Sequence, residues 1–333
     1  MVLKLTSACL NPFKGGFFMA LHKLCCIVSI LFLGVLVGCS SSPGSASQTI
    51  QTSSISSAAA QTGQFVAPDM LTSVFDEAAA TGENGVQIDT SHLAQGYVAV
   101  RATVDGKLKF LLSSNSSTLQ YSYLIPNDGT PAIIPLQLGN GTYQFAVCKN
   151  IEGTKYSYLY RQSEQVTLSD EFQPFLRPSI YINYTADSAC VKKAAELASQ
   201  ANTQMDVVTN IYNFIVTTIS YDKTKAETIG TDYLPNPDET LQSKSGICVD
   251  YAALAAAMLR SQGIPTKLIT GYVAPNNLYH AWNMVWLEDT GWITVELKVD
   301  KNTWNRIDAT FAAGGADASY IGDGSNYTDY LTY

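Results

Sequence analysis

The sequence predicts an α+β fold preceded by a small antiparallel β-sandwich. Three observations carry that prediction. Short runs rich in Tyr, Val, Phe and Leu alternate with turn clusters from about Gly96 to Leu168. The apolar spacing then becomes helical across Met205–Ser220. Beyond Gly263 and Pro265 it returns to strands, the order of an α+β unit.

The first element is a targeting segment. Lys23 precedes an apolar run from Leu24 to Val37, which ends in Leu36-Val37-Gly38-Cys39 and then Ser40-Ser41-Ser42. A basic residue, a short apolar core and a small-residue cleavage site describe a secretory signal rather than a membrane span. Leu-Val-Gly-Cys resembles a bacterial lipobox, which implies a signal over residues 1–39 and a diacylated Cys39. Met19 would start a signal of ordinary length, so residues 1–18 read as an upstream mis-start. Residues 40–85 are expected to be a tether. Its first part, to about Gln64, is mostly Ser, Ala, Gln, Thr and Gly, too poor in apolar surface to fold. The expected location is the outer face of the cell membrane, held by lipid alone.

Residues 86–172 are expected to form the sandwich, immunoglobulin-like in its regular short strands. The predicted strands are Tyr97–Val104, Leu108–Leu112, Leu119–Leu124, Tyr143–Val147, Tyr156–Tyr160 and Val166–Leu168. Asp105-Gly106, Asn127-Asp128-Gly129, Gly139-Asn140-Gly141 and Glu152-Gly153 supply the turns. Phe172–Tyr184, with Pro174 and Pro178, reads as a connection.

Residues 173–315 hold the α+β unit. Asp187-Ser188-Ala189 leads into a helix over Lys192–Ser199, and Met205–Ser220 aligns Val207, Val208, Ile211, Phe214, Ile215 and Ile219 on one face. After a polar stretch from Asp222 to Ser245, Gly246-Ile247-Cys248 opens an Ala-rich helix reaching about Gln262. Strands follow at Lys267–Val273, Ala281–Leu287, Trp292–Leu297 and Trp304–Ile307. Residues 316–333 read as a polar, Tyr-rich tail, whose Asp317, Asp323 and Asp329 lack the spacing of a calcium loop.

Composition narrows the function. Charged residues make up 14% and the formal net charge is −8. Residues 1–38 contain lysines and no acid, so a processed chain is more acidic still. Such a surface repels phosphate backbones and anionic lipid heads, which argues against nucleic acid. With no CxxC pair, histidine cluster or calcium-ligand cluster, no metal or other cofactor is expected.

Of the cysteines, Cys9, Cys25 and Cys26 leave with the signal and Cys39 takes lipid. Cys148, Cys190 and Cys248 remain, and an odd number points to one bridge plus a free thiol, or to free thiols throughout. Cys148 and Cys190 are the bridge candidates, because a bridged Cys248 could not be a nucleophile. Cys248 follows a glycine in the first turn of a predicted helix, where unpaired amides and the dipole favour a thiolate. Ala252, Ala253, Ala255, Ala256 and Ala257 permit close packing behind it. Alone, such a cysteine is more often a small buried hydrophobe. His280 tips that balance, since it opens the strand His280-Ala281-Trp282-Asn283-Met284-Val285-Trp286 and an imidazole can take a thiol's proton. His92, in a polar run, reads as a surface residue. Trp282, Trp286 and Trp292 read as core and cleft wall, and Asp250 as a first-turn acid.

Gly246-Ile247-Cys248-Val249-Asp250-Tyr251-Ala252, Gly263-Ile264-Pro265-Thr266, Gly271-Tyr272, His280-Ala281-Trp282-Asn283 and Asp308-Ala309-Thr310-Phe311 together resemble the transglutaminase-like superfamily core, over roughly Asp187 to Ala313. The resemblance implies a papain-like α+β fold, its Cys-bearing helix packed on an antiparallel sheet. It implies acyl transfer through a thioester, with Cys248 attacking, His280 as base and acid, and Asp308 orienting the imidazole. Ala309 replaces the family's frequent Pro, and the His-to-Asp interval exceeds that of compact members. Glu296, which ends Gly291-Trp292-Ile293-Thr294-Val295-Glu296, is therefore the rival third residue. Asp308 is preferred because Trp304–Phe311 reproduces a strand ending in the acid, then Thr and an aromatic. The expected substrate is a protein or peptide at the cell surface, hydrolysed or transferred to an amine. The alternative is a non-catalytic surface module that binds or scaffolds protein in the same cleft.

Overall fold

The computed structural model describes residues 3–4, 63–230, 232–274, 276–287, 291–294, 310 and 326–333, all in one compact unit. Cys39, the signal apart from Leu3–Lys4, Glu296, Trp304–Ile307 and Asp308 lie outside the described residues.

The N-terminal strands are β1 (Leu3–Lys4), β2 (Val86–Asp89), β3 (Tyr97–Ala102), β4 (Leu108–Ser114), β5 (Gln120–Ile125), β6 (Ala132–Pro135), β7 (Gly141–Glu152) and β8 (Lys155–Val166). They pair antiparallel in two sheets, β2-β3-β6 and β1-β8-β7-β4-β5. Alternation does the sorting: Tyr121, Tyr123 and Ile125 of β5 are buried while Gln120 and Ser122 face out. Val86, Ile88, Val98 and Val100 of one sheet share a buried cluster with Leu108, Phe110, Tyr123 and Phe145 of the other. Strands β2 and β6 escape sequence reading because four residues are too few to show a period. β7 and β8 run far past their predicted ends, largely through polar side chains outside the core such as Lys149, Glu152, Arg161 and Ser163.

Residues 63–85, expected to end the tether, are instead fastened to the body. Phe65 N donates to Ala201 O at 2.9 Å and Asp76 N to Asp89 Oδ2 at 2.7 Å, while Arg177 donates to Thr72 O. Phe65 and Met70 also pack on the core, which gives this stretch apolar contacts of its own.

Next come α1 (Ala189–Ala198), α2 (Gln204–Thr218), β9 (Ser220–Tyr221), α3 (Lys223–Thr228), α4 (Pro237–Ser243), β10 (Ser245–Gly246) and α5 (Cys248–Ser261). The polar stretch over 222–245 thus contains two short helices, begun by Asp222 and Asn236 accepting from backbone amides of their first turns. A reciprocal Thr203–Asp206 box starts α2, a cap of about 1 kcal/mol. α1 begins three residues before its predicted start, because Asp238 of α4 accepts from Ala189 N at 3.1 Å and Cys190 N at 2.9 Å.

The second half closes with β11 (Thr266–Val273), β12 (Leu278–Leu287), β13 (Gly291–Thr294) and β14 (Tyr327–Thr332), an antiparallel sheet in the order β13-β12-β11-β14. The mixed α+β class is therefore observed, with α5 against β11 and β12. Strand β14 corrects the reading of a tail over its described part, residues 326–333. It fills the edge of β11, and Tyr333 beyond it packs edge-on to Tyr121 and Tyr123 with ring centroids 5.8 and 5.9 Å away. A Tyr-rich segment looks polar in sequence yet buries its rings well.

Candidate active site

Cys248 is the first residue of α5 and is half-buried. The chain enters the helix through Ile247 in an extended conformation, and Asp250 Oδ2 accepts from Ile247 N at 2.9 Å. Gly246 permits this close entry, since a Cβ there would stand 2.7 Å from Asp250 Cβ. Behind the thiol, α5 is buried from Asp250 to Ser261. Its alanines bring the helix axis near the sheet, and Tyr251 Oη donates to Ile219 O at 2.7 Å to fix it against the end of α2.

Two helix-to-sheet bonds, and one within the sheet, set how helix and sheet run past each other. Arg260 Nε donates to Thr266 O at 2.8 Å, and Asn283 Nδ2 donates to Ala252 O at 3.0 Å and Lys267 O at 3.2 Å. Thr266 pairs with Val285, and Gly271 with His280. Passing down α5 from Arg260 toward Cys248 therefore follows β12 from Val285 toward His280, and both residues stand at the same end of the layer. Ala281, Asn283 and Val285 face the helix. His280, 3% exposed, shares the other row with Trp282, their ring centroids 6.4 Å apart.

Asp250 is fully buried and carries a network that sequence reading missed. Lys225 Nζ donates to its Oδ2 at 2.6 Å and Tyr233 Oη to its Oδ1 at 2.5 Å, while Lys225 Nζ also donates to Tyr233 Oη at 2.7 Å. Burial pulls the Lys225 ammonium down, but hydrogen bonds to Asp250 and Tyr233 outweigh it and leave Lys225 above its ordinary range. Burial first, then Asp250, pushes the Tyr233 phenol up to about 12. Nothing in the sequence marks these two residues, which lie in the polar stretch before β10. Asn283 had a weak signal as part of the His280 motif.

The remaining thiols are poor competitors. Cys148 and Cys190 are buried and free, so the bridge considered for them is not formed; they sit in separate clusters. Burial pushes the Cys148 thiol up to about 11, and burial with the adjacent Asp238 carboxylate raises Cys190 further. His92, read as a surface residue, is half-buried and stacked on Tyr97 with centroids 4.8 Å apart. Trp282 is a core residue seated over Gly271, where a Cβ would come within 2.7 Å of the indole. Trp286 packs on Phe172 at 4.7 Å. Among the described residues no group of three or more His, Cys, Asp or Glu side chains could hold a metal ion, and no helix is long and apolar enough to cross a membrane.

Comparison with known proteins adds the following. Residues 191–297 match the core of the transglutaminase-like superfamily. A protein-glutamine gamma-glutamyltransferase of Pseudomonas aeruginosa is 32% identical over 71 residues, 18% of this chain and 11% of that one. The uncharacterized protein YebA of Bacillus subtilis is 24% identical over 247 residues, 67% of this chain and 32% of its own. The chain thus spans under a third of either curated relative's length. Among solved structures, a Cytophaga hutchinsonii protein described as a candidate cysteine protease aligns at a TM-score of 0.38 with 16% identity, over 76% of this chain and 83% of that chain. Red sea bream transglutaminase aligns at 0.26 with 14% identity, over 62% and 49%.

Proposed function

We infer, from the transglutaminase-like superfamily core over residues 191–297, that this protein is a cysteine-dependent acyl-transfer enzyme acting on proteins or peptides outside the cell. One observation carries the reading. Cys248, the one free thiol among the described residues that is not buried, opens a rigidly packed helix at the same end of the layer as His280. The imidazole would reach the thiol around the open end of that layer. Leu278 and Tyr279, 39% and 47% exposed just before His280, offer an apolar surface for the substrate's side chain.

In this mechanism the Cys248 thiolate adds to the carbon of a glutamine carboxamide or peptide carbonyl. A C–S bond forms and the carbonyl electron pair moves to oxygen, where first-turn amides of α5 can donate to it. Collapse of the adduct breaks the C–N bond, and ammonia or an amine leaves with a proton from His280. Water or a primary amine then attacks the thioester, gives its proton back to His280 and frees the thiolate.

The direct test incubates the protein with a library of glutamine-containing peptides, with and without an added primary amine. Mass increments from deamidation, cleavage or amine incorporation support the reading. A protein whose Cys248 takes up iodoacetamide but which alters no peptide would favour a binding module in the same cleft.

Two further expectations belong to this reading. Asp308 orients His280, since its short side chain loses little rotamer freedom in holding an imidazole N–H. Asp308→Asn should keep the fold and lower turnover by about 10³–10⁴-fold through the wrong tautomer, whereas Glu296→Gln should matter little. Reversed effects would hand the role to Glu296. The anchor is Cys39, so Cys39→Ala should move the protein from the membrane to the soluble fraction. Retention of that variant at the membrane would remove the lipid anchor from the scheme.

A further inference from the structure

A carboxylate in the first turn of a helix ordinarily stands in solvent and costs nothing to keep there. Asp250 is instead wholly buried, two residues on from the Cys248 thiol. At that separation and in that setting a lone negative charge opposes the formation of a second one on sulfur. The structure answers it with a closed triangle. Lys225 shares Oδ2 with the Ile247 amide, Tyr233 takes Oδ1, and the two side chains bond to each other. Both come from the segment between β9 and α4, which is tied to the Cys248 turn by Asp222 N donating to Gly246 O at 2.9 Å and to the N-terminal sheets by Lys107 with Asp232.

We propose that Lys225 and Tyr233 are positioning residues for Cys248: they lock the entry turn of α5 and cancel the Asp250 charge in the turn that carries the thiol. This rests on the reading of Cys248 as the nucleophile. A cap alone would need only the bond from Ile247 N to Asp250. Pairing the buried Asp250 with Lys225, whose side chain keeps 26% exposure, adds little net stability to that cap because desolvation consumes most of the attraction. The other titratable groups around this turn are Asp222 before α3, Tyr221 on β9, Tyr251 on α5 and His280 on β12. None of these is hydrogen-bonded to Asp250 in the contacts described above, so Lys225 is the cation that balances it.

The test is the pH profile of iodoacetamide alkylation at Cys248, read by mass spectrometry on the whole chain. Lys225→Met should slow alkylation at neutral pH by about tenfold and move the profile about one unit to alkaline pH. Lys225→Arg should return the parental profile, because it restores the charge. Asp250→Asn should move the profile the other way and speed alkylation at neutral pH. Tyr233→Phe should fall between the parent and Lys225→Met. A folded Lys225→Met protein with the parental profile would overturn the proposal. So would a shift of the same sign in Lys225→Met and Asp250→Asn, which is what loosened structure alone predicts. If Lys225→Met does not fold, the opposed signs of Tyr233→Phe and Asp250→Asn decide. Peptide turnover is scored separately: a parent that alkylates with the expected variant pattern but converts no peptide would sink the acyl-transfer reading and leave the charge balance standing.

Discussion

Cys248→Ala is expected to lower peptide turnover by about 10⁴–10⁶-fold, the usual cost of deleting a covalent nucleophile, with almost no change in stability. The two halves of that expectation have separate causes. Chemistry stops because no other described thiol can replace it: Cys148 and Cys190 are buried, with thiols pushed up by their surroundings. Stability holds because the site is half-buried and alanine is the best helix former, so the first turn of α5 loses little packing. His280→Gln should also remove most turnover, since a glutamine neither accepts the thiol proton nor returns it to the leaving amine. The measurement is single-turnover release of ammonia or amine from a glutamine peptide, alongside circular dichroism to confirm folding. A Cys248→Ala protein that keeps a tenth of parental turnover would move the chemistry to other residues.

The largest effect on stability is expected far from the thiol, at Arg260. It is 1% exposed and has no carboxylate partner in its hydrogen bonds. Its guanidinium donates to Thr266 O at 2.8 Å, Arg177 O at 2.8 Å and Tyr333 O at 3.1 Å, so one side chain joins α5, the start of β11, the segment before α1 and the residue after β14. Burial pulls it down to about 10, which leaves it charged at neutral pH. Arg260→Met would fill much of the volume yet take this donor from Thr266 O and Arg177 O, at about 1–3 kcal/mol each, while Tyr333 O keeps its bond from Leu268 N. We expect a loss of about 3–5 kcal/mol in the urea unfolding free energy. Arg260→Lys should recover part of it, because an ammonium keeps the charge but lacks the planar fork needed for three divergent acceptors. A loss below about 1 kcal/mol for Arg260→Met would show that water or relaxation satisfies those carbonyls.

The helix α5 was easy to read because its signals are local. Gly246, Cys248, the alanine run, Gly263 and Pro265 each act on their own stretch of backbone, and α5 occupies Cys248–Ser261, within a residue of its predicted span. β11 and β12 were legible for the same reason, as their apolar runs are long enough to show a period. Strands β2, β6 and β14 were not, because each is stabilised by the partner it pairs with. α1 shows the same principle at one end: its starting cap is Asp238, an acceptor 48 residues away from Cys190 in sequence.

What the sequence by itself determined is the helix that Cys248 opens, the strand bearing His280 and the α+β order, because caps, glycine stops and apolar period are properties of a few adjacent residues. What tertiary structure alone decided is the setting of that chemistry. It placed Lys225 and Tyr233 around Asp250, put Asn283 between Ala252 and Lys267, and gave Arg260 carbonyls from three separate segments. It also turned the end of an apparent tail into the edge strand of the His280 sheet. The physical reason is that a buried charge or an open sheet edge must be satisfied by whatever the folded chain brings near, and a polar residue carries no local mark of which distant partner that will be.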